Sequence, residues 1–128
     1  MLYVGALKLK AQIMCGDEFA MGPGKADMLD AIAREGSISG AGRALGMSYR
    51  RAWLLVDTMN RCWSQPLVVT TAGGGQGKGA RLSELGREVL AAYRGLEEKL
   101  AEAAGSGPLK ALSEKLLATP RESQNQPF

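Results

Sequence analysis

The sequence predicts a mainly α-helical domain with one small β-hairpin, and three observations carry that prediction. Between Ser37 and Trp63 a short apolar repeat, a glycine-containing turn and a longer apolar repeat follow one another. The β-branched run Leu67 to Thr71 is separated from Ala80-Arg81-Leu82 by a segment with five glycines among the eight positions 72–79. From Ser83 to Ala104, apolar side chains recur at intervals of three and four. Two helices across a tight turn, a hairpin and a long final helix together read as a winged helix-turn-helix with a long C-terminal dimerisation helix.

A chain of 128 residues has room for one core and falls below the size at which chains usually divide. Residues 1–104 read as the winged helix-turn-helix DNA-binding and dimerisation domain, and 105–128 as a linker and flexible tail. Cys15 and Cys62 lie far apart in sequence, with no metal-ligand spacing and no secretory signal before them, so reduced thiols are expected and not a disulfide framework. Lys8 and Lys10 interrupt the only place for a signal-peptide core, and no apolar run approaches 18 residues. A soluble, cytoplasmic protein away from membranes is the expectation. Histidine is absent, which removes the commonest general base and transition-metal ligand; no enzyme, metal site or cofactor is implied. With 5% aromatic residues there is little for a stacking platform on single strands.

Taken in order, Leu7 to Ile13 alternates apolar and polar residues, the period of a strand with one buried face. Gly16-Asp17 reads as a turn and Glu18 to Met21 as a return strand. Gly22-Pro23-Gly24 breaks regular structure, after which Leu29, Ile32 and Ala33 mark a first helix over about residues 25–35. Ser37 stands at an N-cap, and Ile38, Ala41, Gly42 and Leu45 define a second helix of two turns. Gly46-Met47-Ser48 links it to a third, Tyr49 to Trp63, whose apolar stripe is Ala52, Val56, Met59 and Trp63. Beyond the hairpin, Ser83 caps the long helix. In it Leu85, Val89, Ala92, Leu96 and Leu100 follow spacing close to a heptad seam. Gly105-Ser-Gly-Pro108 opens a linker, with a short amphipathic stretch from Leu109 to Ala118 beyond it.

Charge is concentrated where the helix pair and hairpin lie. Residues 37–81 contain Arg43, Arg50, Arg51, Arg61, Lys78 and Arg81 against a single acid, Asp57, whereas the whole chain carries only +3. Tyr49, Arg50, Arg51 and Trp53 cluster in the first turns of the third helix, Arg51 closer to the flank than Arg50. Arginine at a helix N-terminus opposes the helix dipole, so a helix built for stability alone would place these charges at its other end. Base-edge contact explains the placement, and a solvated basic face is the bland alternative. Trp53 falls between the two readings, as core or as contact. The Gly73 to Gly79 loop lacks the Gly-Lys-Ser/Thr ending of a phosphate loop and is followed by a strand signal, so it reads as a wing tip carrying Lys78 and Arg81.

The run Gly36-Ser-Ile-Ser-Gly-Ala-Gly-Arg-Ala-Leu-Gly-Met-Ser-Tyr-Arg-Arg-Ala-Trp53, with Asn60 beyond, closely resembles the N-terminal domain of the molybdate-responsive regulator family ModE. Gly22-Pro23-Gly24 and the glycine-rich wing followed by Arg81-Leu82-Ser83 and Gly86 also fit. The resemblance covers roughly residues 7–100, and more distantly the segment is similar to LysR-type DNA-binding domains. It implies that Ser37 and Ser39 lie near backbone phosphates. It also implies that Ser48, Tyr49, Arg50 and Trp53 face the major groove, and that the helix from Ser83 pairs with its symmetry mate. ModE proteins usually continue into small β-barrels that bind molybdate, whereas here only a short tail follows. This chain alone is therefore expected not to bind molybdate, and any effector would act through a separate effector-binding protein.

The resulting expectation is a homodimer that binds double-stranded DNA and regulates transcription, its two recognition helices about 34 Å apart in successive major grooves. Ser37, Ser39, Arg43, Lys78 and Arg81 would hold phosphates, Ser48, Tyr49, Arg50 and Trp53 would face the groove, and Arg51, nearer the flank, would also contact DNA. Leu85, Val89, Ala92, Leu96 and Leu100 would form the dimer seam. The alternative is a winged-helix interaction or dimerisation module that no longer binds DNA, which the salt dependence of DNA affinity would distinguish.

Overall fold

The computed structural model describes residues 1–71 and 79–125, which run through two N-terminal hairpins, three helices, a third hairpin and two further helices. In the first hairpin β1 (Leu2–Val4) pairs antiparallel with β2 (Leu7–Leu9); in the second, β3 (Ile13–Cys15) pairs with β4 (Glu18–Met21) across the expected Gly16-Asp17 turn. The continuous strand expected over Leu7–Ile13 is not formed, and β1 was not expected. The alternation is shared between two hairpins because the chain leaves the first at residues 10–12. There the Ala11 carbonyl accepts a 2.7 Å bond from the Tyr93 hydroxyl and not from a ladder N–H.

Helix α1 (Pro23–Glu35) starts two residues before the expected position. Pro23 occupies its first turn, where the missing N–H would have had no intrahelical partner and the fixed φ already suits a helix; it begins the element that it was expected to precede. Helices α2 (Ile38–Ala44) and α3 (Tyr49–Cys62) lie where their periodicity places them. Each is capped by a serine: Ser37 Oγ accepts from the Gly40 N–H at 2.9 Å, and Ser48 Oγ from the Arg51 N–H at 3.1 Å. Close approach of the two helices depends on Gly42, whose added Cβ would stand 3.2 Å from the Ala52 Cβ.

The core gathers Met21, Met28, Leu29, Ile32, Val56, Met59 and Leu67, all essentially inaccessible. Burial of each such side chain contributes about 1.5–3 kcal/mol. On its edge sits the wing, in which β5 (Val68–Thr71) pairs with β6 (Gly79–Leu82) in the register Val68↔Leu82 to Thr71↔Gly79. The Ala80 N–H donates to the Gly36 carbonyl at 2.8 Å, tying the wing to the corner between α1 and α2.

Helix α4 (Glu84–Ala104) is capped by Ser83 and turns Gly86, Val89, Tyr93 and Glu97 inward. Arg94 joins it to α1 through Asp27 and Asp30 at 3.0 and 2.7 Å, and bonds Glu97 of its own helix at 2.9 Å. Partial burial disfavours the guanidinium charge, but these hydrogen bonds outweigh it and raise its pKa. The amphipathic stretch read near Leu109 forms α5 (Gly107–Lys115), none of whose residues is buried.

At the start of α4, a Cβ added to Gly86 would collide with the carbonyl oxygen of Leu67. That contact is backbone against backbone, and Leu67 is pinned on the other side by its bond to Asn60. Gly86→Ala should therefore lower stability by about 1–3 kcal/mol, as overpacking does. Urea denaturation of the two proteins measures it, and an unchanged midpoint would mean that the α4 start moves freely.

Candidate nucleic-acid interface

The N-terminal turns of α3 carry an exposed face opposite buried Ala52. Tyr49 is 57% exposed, and Arg50 and Arg51 are exposed beside it. Trp53 is half-buried, packed against the core while its ring meets that of Tyr49 edge-on, with centroids 6.1 Å apart and planes at 67°. The two readings of Trp53 are thus both satisfied: one part of the indole closes the core and another lines the surface. Together with Ile38, Ser39, Thr70, Gly79 and Ala80, Tyr49 and Trp53 line a cleft of about 110 Å³ between the helix pair and the wing. Trp63, read as core, is also half-buried and donates its indole N–H to the Ala20 carbonyl at 3.2 Å.

Among the described residues, much of the charge on this surface has no ion-pair partner. Arg43, Arg50, Arg51 and Arg81 are exposed, and among the described residues none of them makes an ion pair. Arg61 differs. It bonds Asp57 at 3.0 Å and Glu18 at 3.4 Å, and its hydrogen bond to Asp57, followed by the pull of Glu18, raises its pKa. Of the basic residues counted in the segment, Arg61 is therefore withdrawn from the cluster by pairing, a consequence of β4 lying beside the end of α3.

The remaining expected contacts divide by position. Ser39 is half-buried in the cleft, while Ser37 and Ser48 each use their hydroxyl oxygen to accept a helix-capping N–H and keep the hydroxyl proton free to donate. Lys78 lies outside the described residues. On α4, Val89 is 9% exposed and belongs to the chain's own core, against which Leu85 also packs. Ala92 and Leu96 are exposed and Leu100 half-buried, so the outward part of the seam is the row of these three residues. Ala92 and Leu96 border an apolar groove of about 190 Å³ with Ile13, Met21 and Trp63.

Two positions escaped the sequence reading. Leu54 is 55% exposed and adjoins Tyr49, Arg50 and Trp53 on the open face of α3; its signal was an apolar residue lying off the Ala52-Val56-Met59 stripe, one turn beyond Arg50. Thr70 enters the cleft from the wing and had no local signal.

No family model matches the chain. The molybdenum transport protein ModE of Azotobacter vinelandii is 46% identical over 89 residues, covering 70% of this chain and 31% of that protein. The DNA-binding transcriptional dual regulator ModE of Escherichia coli K12 is 35% identical over 71 residues, covering 56% of this chain and 27% of that protein. The chain thus spans less than a third of the length of either relative. Among solved structures, the full-length LTTR LysG of Corynebacterium glutamicum with bound effector Arg is similar at a TM-score of 0.51 and 25% identity, covering 75% of this chain and 30% of that one. Fold and relatives together define the class, a winged helix-turn-helix domain of the bacterial transcription-regulator type. Within that class the chain is ModE-like across its winged-helix region, as the run from Gly36 to Trp53 implied, and more distantly LysR-like. Among the described residues no helix is long and apolar enough to cross a membrane.

Proposed function

We propose that this chain is a sequence-specific, double-stranded-DNA-binding transcription regulator acting as a homodimer. The observation that carries the reading is the set of arginines at the exposed start of α3 that make no ion pair among the described residues. Arg50 and Arg51, like Arg43 and Arg81, are exposed and make no ion pair among the described residues, while Arg61 and Arg94 of the same protein are engaged by carboxylates. A cation without a partner on its own chain is available to an anionic one, and duplex DNA presents phosphates in a row with base edges between them. Arg50 with Tyr49 would reach base edges, Leu54 would lie against a thymine methyl, and Trp53 would support Tyr49 from below. Arg43, Ser39 and Arg81 would hold the phosphate backbone on either side. Ala92, Leu96 and Leu100 of α4 would pair with the same row on a second copy.

Selection of bound sites from a random duplex pool, followed by titration of Arg50→Ala, tests the assignment. Loss of a bidentate base contact should weaken binding to the selected site by about 1–3 kcal/mol and leave binding to random DNA nearly unchanged. Equal losses on both would move Arg50 to the phosphate backbone. An affinity without salt dependence would remove DNA binding altogether, in favour of a protein-docking module.

A further inference from the structure

The fold brings together two residues that the sequence separates. Cys15 closes the β3–β4 hairpin opposite Glu18, and Cys62 is the last residue of α3. The residues on either side of Cys62 are both anchored to that hairpin: Arg61 donates to the Glu18 carboxylate at 3.4 Å, and the Trp63 indole N–H to the Ala20 carbonyl at 3.2 Å. These two anchors hold the end of α3 against the hairpin, with Cys62 on the side of Cys15, close enough for the two thiols to interact. Both cysteines are free; Cys15 is exposed and Cys62 half-buried. Among the described residues no group of three or more potential ligands converges that could hold a metal ion, so paired-thiol chemistry is what remains open to this pair.

We propose that Cys15 and Cys62 form a dithiol redox site, which a hydroperoxide converts to an intramolecular disulfide that ties the end of the recognition helix α3 to the β3–β4 hairpin. The exposed Cys15 is the sulfur that meets the oxidant. Its thiolate attacks one peroxide oxygen, forming an S–O bond and breaking the O–O bond; the leaving alkoxide takes a proton and departs as an alcohol, or as water from hydrogen peroxide. Cys62 then loses its proton and attacks the Cys15 sulfur, forming the S–S bond and releasing hydroxide, which is protonated to water. Two thiols lose two electrons and two protons, and the peroxide gains them.

The environments suit this order. Burial, and next the neighbouring Cys15 thiol, push the Cys62 thiol above its usual pKa, which keeps it protonated until the Cys15 sulfenic acid is beside it. Arg61, Lys25 and Glu18 are the charged groups facing it. Small thiols reverse the bond by exchange, as suits a cysteine pair in a reducing compartment.

The test uses the full reduced chain and hydrogen peroxide near stoichiometric amounts. Both free thiols should disappear, the intact mass should fall by about 2 Da, and peptide mapping should recover a Cys15–Cys62 cross-link that dithiothreitol removes. The oxidised chain should melt about 5–10 °C higher than the reduced one, because a long loop is closed. In C62S the Cys15 sulfenic acid should persist and be trapped by dimedone, whereas C15S should react more slowly and yield no intramolecular cross-link. Cross-links only between chains, over-oxidation of Cys15 with Cys62 left free, or equal dimedone trapping in wild type and C62S would each overturn the proposal.

Discussion

Replacing Leu96 and Leu100 with glutamate should turn the protein into a monomer and weaken its binding to duplex DNA by about two to four orders of magnitude, the range lost when two linked binding events become one. Both side chains lie on the outward row of α4, with Leu96 38% exposed and Leu100 half-buried, and the inward row of Val89, Tyr93 and Glu97 is left intact. The fold should therefore survive, with a melting temperature within a few degrees of the parent. Sedimentation at micromolar concentration together with DNA titration separates the two effects. A parent chain that sediments as a monomer at that concentration, or a monomeric variant with undiminished affinity, would sink the paired-helix arrangement.

Asn60→Ala should cost about 2–4 kcal/mol of folding free energy, a drop of about 8–15 °C in Tm. The Asn60 carboxamide serves the segment that leads into β5 from both its ends. Its Oδ1 accepts from the N–H groups of Leu67 and Val68 at 2.9 and 3.1 Å, and its Nδ2 donates to the Val68 carbonyl at 3.1 Å. Leu67 and Val68 are buried, so truncation leaves three backbone groups without their partner where water reaches them poorly. Asn60→Asp keeps the two accepted bonds and loses the donated one, and should fall between parent and alanine variant. Chemical denaturation of the three proteins checks the order; an alanine variant within 1 kcal/mol of the parent would show that packing of Leu67 alone holds the entry to the wing.

The parts of the molecule legible from sequence are those whose stabilising contacts lie within one helical turn or one strand pair. Ser37, Ser48 and Ser83 each cap a helix through an N–H three residues ahead, so the spacing of the letters is the spacing of the bond. The Ala52-Val56-Met59 stripe is buried as its period requires, and the wing strands pair on either side of the glycine-rich segment. The first hairpin was missed because three-residue strands offer too few positions for an alternation to be distinguished from chance, and β2 and β3 together imitate one longer strand.

At the candidate interface, the sequence by itself determined which residues stand on the exposed start of α3, because helical phase separates Tyr49, Arg50 and Arg51 from the buried stripe. Only the tertiary structure decided which of the charges and sulfurs have partners. Arg61 is quenched by Glu18 and Cys62 meets Cys15 because β4 docks beside the end of α3, and Tyr93 reaches Ala11 across 82 positions. Val89 turns inward and Leu96 is left exposed because α4 packs on α1, β1 and β6, a choice the near-heptad spacing leaves open. A cap or a stripe is set by contacts three or four residues apart, which the order of residues encodes directly. Partners brought from forty to eighty positions away depend on how whole elements dock, and no local spacing records that.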